Sequence, residues 1–252
     1  NNYTNIISVK IMNALFSSLS CYYFAKTIKL RHSSQKKAYW SVLFLITINL
    51  FFIYSFSAVS EIPCITCVCI AYYWYEKNEF TKCALILSFA FLIRIEIIIY
   101  FGIFALKFIK LKKYKPIFLF GVFPAIWVLL LLIIGRNPLI ILTHNVKIDE
   151  IERDYWTPPK GITKLRWTYF YFFKLTKILG WPNFILFLIG IGIHIKKKKT
   201  SLLYDGFVML YYVFQTLLLI IPGTQSRALV RYFLISLPIF AHIIFDAVLF
   251  LH

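Results

Sequence analysis

Long apolar runs separated by short, lysine-rich loops constrain this sequence more than any other feature. A helix needs about 20 apolar residues to cross a bilayer, and several of these runs reach that length. The chain of 252 residues is 60% hydrophobic and has a mean hydropathy of +0.75, which is far too apolar for a soluble domain. The sequence therefore predicts an all-α, polytopic transmembrane helix bundle, an integral membrane protein that crosses the bilayer several times.

The formal net charge of +18 suggests two explanations, nucleic-acid binding or the positive-inside rule. The lysines and arginines lie mostly in short loops between apolar runs, which favours the positive-inside rule, so we expect membrane lipids as partners and no nucleic acid. Residues 1–252 are expected to form a single transmembrane domain of about eight segments. The predicted segments cover residues 6–27, 39–57, 64–75, 83–106 as two short passes, 117–135, 181–195, 202–221 and 231–251. Pro63 suits the first turn of a new helix, and Pro124 predicts a kink within its segment.

The longest polar stretch is predicted to be an outer loop over residues 136–166. Residues 167–179 are aromatic but carry Lys174 and Lys177, which indicates an amphipathic helix on the outer interface. The cysteines Cys64, Cys67 and Cys69 have no second cysteine pair or histidine partner, so we interpret them as small apolar helix residues. No disulfide and no set of metal ligands is predicted.

Two charged residues interrupt the apolar run from Cys83 to Leu106. Arg94 and Glu96 each cost roughly 2.5–3.5 kcal/mol at the centre of a membrane helix, so such charges indicate a functional site. Residues two apart do not face each other on a helix, which means that they need separate partners or a break in the chain. A break also returns the lysines after Leu106 to the cytoplasm. We therefore predict a re-entrant-like hairpin that turns at residues 94–96, on the outer side.

With this topology, several polar residues gather on the outer side of the bundle. Glu61 lies in the turn Ser60–Pro63, beside the predicted hairpin with Arg94 and Glu96. These three residues form the candidate active-site cavity. Arg227 and Arg231, with Tyr232, mark the outer start of the last segment, where arginine suits a lipid-linked phosphate. No phosphate-binding glycine loop or nucleophile elbow occurs in the sequence.

The order of these motifs resembles the polytopic GT-C glycosyltransferases, of the mannosyltransferase and aminoarabinose-transferase type. The helix Val9–Leu15, the turn Ser60–Pro63 and the run Leu92–Glu96 match the family's succession of an apolar helix, a small-Glu-Pro turn and a Thr-Arg-Pro-Glu turn. Arg231-Tyr232-Phe233, followed by Pro238, is similar to the family's late Arg-Tyr motif. This chain departs from the pattern in having Ile62 between Glu61 and Pro63 and Ile95 where proline is usual.

The resemblance implies transfer of a sugar from a polyprenyl-phosphate donor to a lipid, glycan or protein acceptor on the extracytoplasmic face. It also implies a catalytic aspartate in a first outer loop, ahead of the helix that begins near Ile6. We therefore expect the family's first helix and first outer loop, with the base, to lie upstream of Asn1. Within these residues the catalytic base is unknown, and a need for a divalent metal stays open.

Two other functions stay open. A transporter or flippase of a lipid-linked sugar would also place charges in a membrane cavity, although the two similar halves typical of transporters are not visible in the sequence. A polysaccharide ligase or polymerase would also use outer arginines on a pyrophosphate lipid. An acidic outer loop upstream would favour the glycosyltransferase over both.

Overall fold

The computed structural model describes residues 2–57, 59–94, 97–137, 175–197 and 236–251, and within these ranges the chain is all-α, as predicted, without a strand. Residues 175–179 also form a helical turn. The described helices are α1 (Asn2–His32), α2 (Gln35–Thr47), α3 (Asn49–Ser55), α4 (Glu61–Glu76), α5 (Phe80–Ile93), α6 (Ile98–Lys110), α7 (Lys115–Leu119), α8 (Val122–Ile133), α9 (Trp181–Lys197) and α10 (Leu237–Leu251).

Helices α1 and α4 lie side by side and run in the same direction. Asn13 Nδ2 donates to the carbonyl of Val59, 46 residues away, at 2.7 Å. Eighteen residues further along α1, Arg31 pairs with Glu76, which is 45 residues away. The sequence separation between contacting residues is thus almost the same at two places about five helical turns apart, which shows that the helices are parallel. We refer to the two ends of this pair as the Glu61 end and the Glu76 end.

A second parallel pair consists of α9 and α10. Phe187 packs edge-on against Phe240 with ring centroids 5.0 Å apart, and Gly190 lies against Ile243. Both pairs of residues are 53 positions apart. Helix α2 begins at the Glu76 end, directly after α1, and its far end at Thr47 contacts Asn183 near the start of α9. His242 of α10 contacts Arg31 at the Glu76 end, so α9 and α10 also run towards that end.

Helix α1 reverses the side-chain distribution of a soluble helix. Apart from Lys10, Lys26 and Lys29, its large exposed side chains are apolar, namely Ile6, Ile7, Val9, Ile11, Met12, Leu15, Leu19, Tyr22 and Leu30. Its buried side chains are mostly polar, namely Asn13, Ser17, Ser20, Phe24, Thr27 and Ile28. The polar side chains face α4, where the hydroxyls of Ser20 and Thr66 are 2.8 Å apart.

Among the described residues, one helical stretch is long and apolar enough to cross a membrane. It is Lys115–Ile133, which comprises 19 residues and has 17% of its apolar window buried. Other predicted spans fall short for separate reasons. The 14 residues of α5 extend only about 21 Å against a hydrocarbon core of about 30 Å, whereas α1 is long enough but carries a polar face and Lys10.

The predicted span 39–57 is not one straight helix. It consists of α2 and α3, which meet at an angle of 78° at Ile48, a residue with extended backbone. Three β-branched residues in succession, Ile46, Thr47 and Ile48, weaken the helix there. The carbonyl of Thr47, which the bend removes from the helical ladder, accepts a hydrogen bond from Asn183 Nδ2 at 3.3 Å.

The chain breaks where the charges Arg94 and Glu96 predicted a break. Helix α5 ends at Ile93, and Arg94 adopts an extended conformation. Helix α6 then returns along α5, since Phe91 stacks near Phe101 close to the turn and Phe80 contacts Phe108 at the far end. The two short helices therefore form a hairpin whose open end lies at the Glu76 end.

Some basic residues that we expected in loops belong to helices. Lys29 and Arg31 lie in the last turn of α1, and Lys107 lies in the last turn of α6. The Lys107 side chain is buried, with Nζ 4.6 Å from the ring centroid of Tyr75 and 5.1 Å from that of Phe104. Cation–π contacts with these rings compensate for the loss of water, which the hydropathy pattern alone does not indicate.

The kink predicted at Pro124 is present as the break between α7 and α8. Pro124 has no N–H to offer the carbonyl of Phe120, four residues earlier. The buried Ser88 of α5 replaces that bond, because its hydroxyl donates to Phe120 O at 2.9 Å and accepts from the Phe123 N–H at 3.0 Å. One serine thus satisfies both backbone groups that the break leaves and joins α8 to α5.

The described part of the predicted interfacial helix packs into the protein interior. Leu175, Ile178 and Leu179 are buried, whereas Lys177 is exposed. The turn is therefore amphipathic, as expected, but its apolar side faces other helices. It ends at Gly180, whose φ of +79° lies in the left-handed region that glycine adopts without strain. All five cysteines are unbridged, and four of them are buried, as predicted.

The close approach of α9 to α10 depends on Gly190. A Cβ atom there would lie 2.5 Å from the backbone oxygen of Ile243, so Gly190→Ala must push the helices apart. We expect this change to lower the free energy of unfolding by about 1–3 kcal/mol. Gly192→Ala is the control, since a Cβ atom at Gly192 meets nothing within 4 Å and alanine favours the helix by up to about 1 kcal/mol. Denaturant titration in detergent should separate the two variants, and equal stabilities would contradict the close approach.

Candidate functional site

The candidate site is a buried ion pair between two chain turns. Arg94 Nη1 donates to Glu61 Oε1 at 2.7 Å and also lies 3.1 Å from Ser60 Oγ. The Glu61 side chain is 3% exposed and that of Arg94 is 11% exposed. Sequence analysis predicted that these residues share one site, although they are 33 positions apart, and the structure brings them into direct contact.

Local sequence explains why Glu61 lies at a helix start. Ser60 precedes α4, Glu61 is its first residue, and Pro63 falls in the first turn, where a proline costs no hydrogen bond. A carboxylate there is favoured by the positive end of the helix dipole. The predicted role of the Ser60–Pro63 turn as a helix start is therefore confirmed.

Asn13 of α1 holds the chain in front of this turn. Its side-chain amide donates to the carbonyls of Ser57 and Val59, at 2.5 and 2.7 Å. These carbonyls follow the end of α3. Asn13 is itself buried, so α1, the α3–α4 turn and the start of α4 are fixed to one another directly beside Glu61.

The arrangement suits recognition of an anion. A guanidinium carries five N–H donors and no acceptor, and Glu61 engages it at Nη1. The carboxylate therefore orients the guanidinium and offsets its charge in the interior, while the planar group keeps the geometry that suits phosphate oxygens. The break after Ile93 places Arg94 at a helix end, where the side chain can approach the protein surface.

The other residues of the predicted site lie outside the described residues. These are Glu96 of the candidate cavity and Arg227, Arg231 and Tyr232 of the predicted donor-phosphate site. The outer loop 136–166 lies outside them from residue 138 onwards. Of the predicted site residues, the structure thus assembles Glu61 and Arg94.

A second polar cluster, which sequence analysis missed, lies at the Glu76 end. It joins three helices through Arg31, His32, Glu76, His242 and Asp246. Arg31 forms an ion pair with Glu76 and a contact of 2.5 Å with His242 Nε2. Asp246 lies 3.9 Å from His32 Nε2 and 3.7 Å from His242 Nε2. The spacing His242-x-x-x-Asp246 was a usable signal, because it puts both residues on one helix face, but nothing in the sequence connects it with His32.

Comparison of the chain with protein-family models, with characterised proteins and with solved structures finds no match in any of the three.

Replacing Glu61 should lower the free energy of unfolding more than replacing Arg94. Glu61→Gln leaves a buried guanidinium, which cannot lose its proton, and should cost about 3–5 kcal/mol of unfolding free energy. Arg94→Gln should cost less, since the Glu61 carboxylate keeps its favourable position at the positive end of the α4 dipole. Unfolding in detergent at neutral pH would measure both changes.

The exposed pair of Lys82 and Glu79, with side chains about half exposed, supplies the control for this comparison. Glu79→Gln should change stability by no more than about 1 kcal/mol. A Glu61→Gln variant as stable as Glu79→Gln would show that the buried pair does not hold the two turns together.

Proposed function

We propose that this chain belongs to a multi-pass membrane glycosyltransferase that uses a polyprenyl-phosphate-linked sugar at its extracytoplasmic face. The observation that carries the proposal is the contact between Glu61 and Arg94. The GT-C resemblance rests on two short motifs in separate turns, and their acid and arginine meet within 2.7 Å. A buried ion pair would not be expected between two unrelated turns at the protein surface.

The exposed surface supports a membrane location. Large apolar side chains cover the outward faces of α1 and α8, including Leu129, Leu132 and Ile133 of α8. Patches of this kind are rare on water-soluble monomers, whereas lipid is an appropriate neighbour for them. Polar groups directed inward and apolar groups directed outward are what a bilayer requires of a bundle.

The distribution of basic residues supports the proposed sidedness. Arg31, Lys77 and the last turn of α6 with Lys107 lie at the Glu76 end, and α9 runs towards the same end with Lys196. The positive-inside rule assigns this end to the cytoplasm. The Glu61–Arg94 site then lies on the opposite side of the membrane.

In the proposed reaction, Arg94 and Glu61 line the cavity in which the donor phosphate meets the acceptor. Arg231, with Arg227 and Tyr232, binds the phosphate of the lipid carrier at the headgroup level. A base is also needed to deprotonate the acceptor hydroxyl. Acceptors are a lipid, a glycan or a protein, and Arg94 would stabilise the charge on the departing phosphate.

Single cysteines report the proposed topology. Lys112→Cys and Lys197→Cys should react with a membrane-impermeant maleimide only after the cytoplasmic face is opened. Asp149→Cys and Arg227→Cys should react in sealed cells. The background for this experiment is a variant without native cysteines. Labelling of residues 112 and 197 from opposite faces would exclude the hairpin topology and the proposed sidedness together.

The transferase itself is tested with the full-length protein in lipid nanodiscs. It should transfer sugar from a polyprenyl-phosphate donor, and Arg231→Ala should lower kcat/KM for that donor by about ten- to a hundredfold, since a charged hydrogen bond contributes roughly 1.5–3 kcal/mol. Arg231→Lys should restore part of the activity, because a lysine cannot make the paired contact.

Glu79→Gln, at the opposite end of the bundle, is the control and should keep wild-type kinetics. Donor kinetics that do not change in a folded Arg231→Ala variant would exclude the donor role of this arginine. Transport of the lipid-linked sugar without any transfer would favour the flippase instead.

A further inference from the structure

We propose that His32, His242 and Asp246 bind a divalent transition-metal ion of the zinc class at the Glu76 end of the bundle. The three residues come from the end of α1 and from one face of α10, and their ligand atoms lie within 4.8 Å of one another. This site lies about 22 Å along α4 from Glu61, so it is separate from the Glu61–Arg94 pair and does not depend on the proposed function.

The geometry is close to that of a bound metal. Asp246 offers one oxygen to each imidazole, with Oδ1 at 3.9 Å from His32 Nε2 and Oδ2 at 3.7 Å from His242 Nε2. Tetrahedral ligands at zinc bond lengths are roughly 3.3–3.4 Å apart. The three ligand atoms are up to 4.8 Å apart, so closing them around an ion takes a movement of up to about 1.4 Å, within reach of side-chain rotation.

The protein already holds the ligands in position. His242 and Asp246 are four residues apart on α10, so they share a face. His32 is the last residue of α1, directly before Ser33, whose positive φ ends the helix. Its ring packs edge-on against Phe245, with centroids 5.7 Å apart. The donor set is thus built by the end of α1 and one face of α10, both fixed by the fold, and not by mobile surface side chains.

Arg31 shows that one ligand atom is suited to a cation. A guanidinium can only donate, so the contact of 2.5 Å between Arg31 and His242 Nε2 is a hydrogen bond in the tautomer that leaves this nitrogen without a proton. The same lone pair is the one that a metal would use. Arg31 also pairs with Glu76, so it keeps a carboxylate partner when a metal ion displaces it from His242.

The donor set decides the class of ion. Two imidazoles and one carboxylate suit zinc and neighbouring first-row metals, whereas magnesium and calcium prefer sites made of oxygen ligands alone. Three protein ligands leave at least one coordination position for water. A metal ion here would join α1, the first described helix, to α10, the last.

The test measures zinc bound by the full-length protein in nanodiscs after removal of metals with EDTA. Equilibrium dialysis with elemental analysis should find one zinc ion per chain that is lost, or bound at least tenfold more weakly, in His242→Ala and in Asp246→Asn. His144→Gln and Glu79→Gln are matched controls for loss of a histidine and of a carboxylate, and both should bind zinc as the wild type does. Equal binding by all four variants would overturn the proposal.

Two further measurements do not depend on removing a ligand. Arg31→Gln should bind zinc more tightly than the wild type, because it removes the competing cation, and weaker binding would contradict a metal at His242 Nε2. Cobalt added to the wild-type protein should develop visible absorption bands that differ from those of the hydrated ion. Their absence would exclude the site even if the histidine and aspartate variants failed to fold.

Discussion

The whole structure depends on the pairing of polar groups inside an apolar bundle. In such surroundings an unpartnered charge or backbone group costs several kcal/mol, so each polar residue dictates which segment lies beside it. Arg94 pairs with the start of α4, and Arg31 pairs with its end. Ser88 bonds to the break before α8, and Asn13 bonds to the turn after α3. Apolar contacts alone would allow many helix arrangements, because lipid-like side chains pack acceptably in several registers. The polar contacts reduce these arrangements to one.

The two ends of the bundle differ chemically as a result. At the Glu61 end, a single acid and a single arginine meet at a helix start and a helix end. At the Glu76 end, basic residues, two histidines and two carboxylates form a larger network. Charge asymmetry of this kind orients a bundle in a bilayer. It also separates the site that we propose for an anion from the site that we propose for a metal ion.

Much of this organisation was predictable because it follows from local rules. Apolar composition indicated helices, Pro63 and Pro124 marked a start and a kink, and the pair Arg94 and Glu96 required a break in an apolar run. The bend at Ile48 was not predicted, since weak helix propensity over three residues has an effect only when a partner such as Asn183 accepts the exposed carbonyl. The network of His32, His242 and Asp246 was beyond sequence reasoning, because its members are up to 214 positions apart and parallel helix pairs set their proximity.

The polar inward face of α1 has a consequence for the order in which the chain is assembled. The side-chain amide of Asn13 finds its partners in the α3–α4 turn, which is synthesised about 46 positions later. At roughly 5–20 residues per second, that interval lasts about 2–9 s. Where such a chain is inserted into a bilayer as it is made, Asn13 would stay without these partners over that interval. Changes at Asn13 would then act on the insertion of α1 before they act on the folded state.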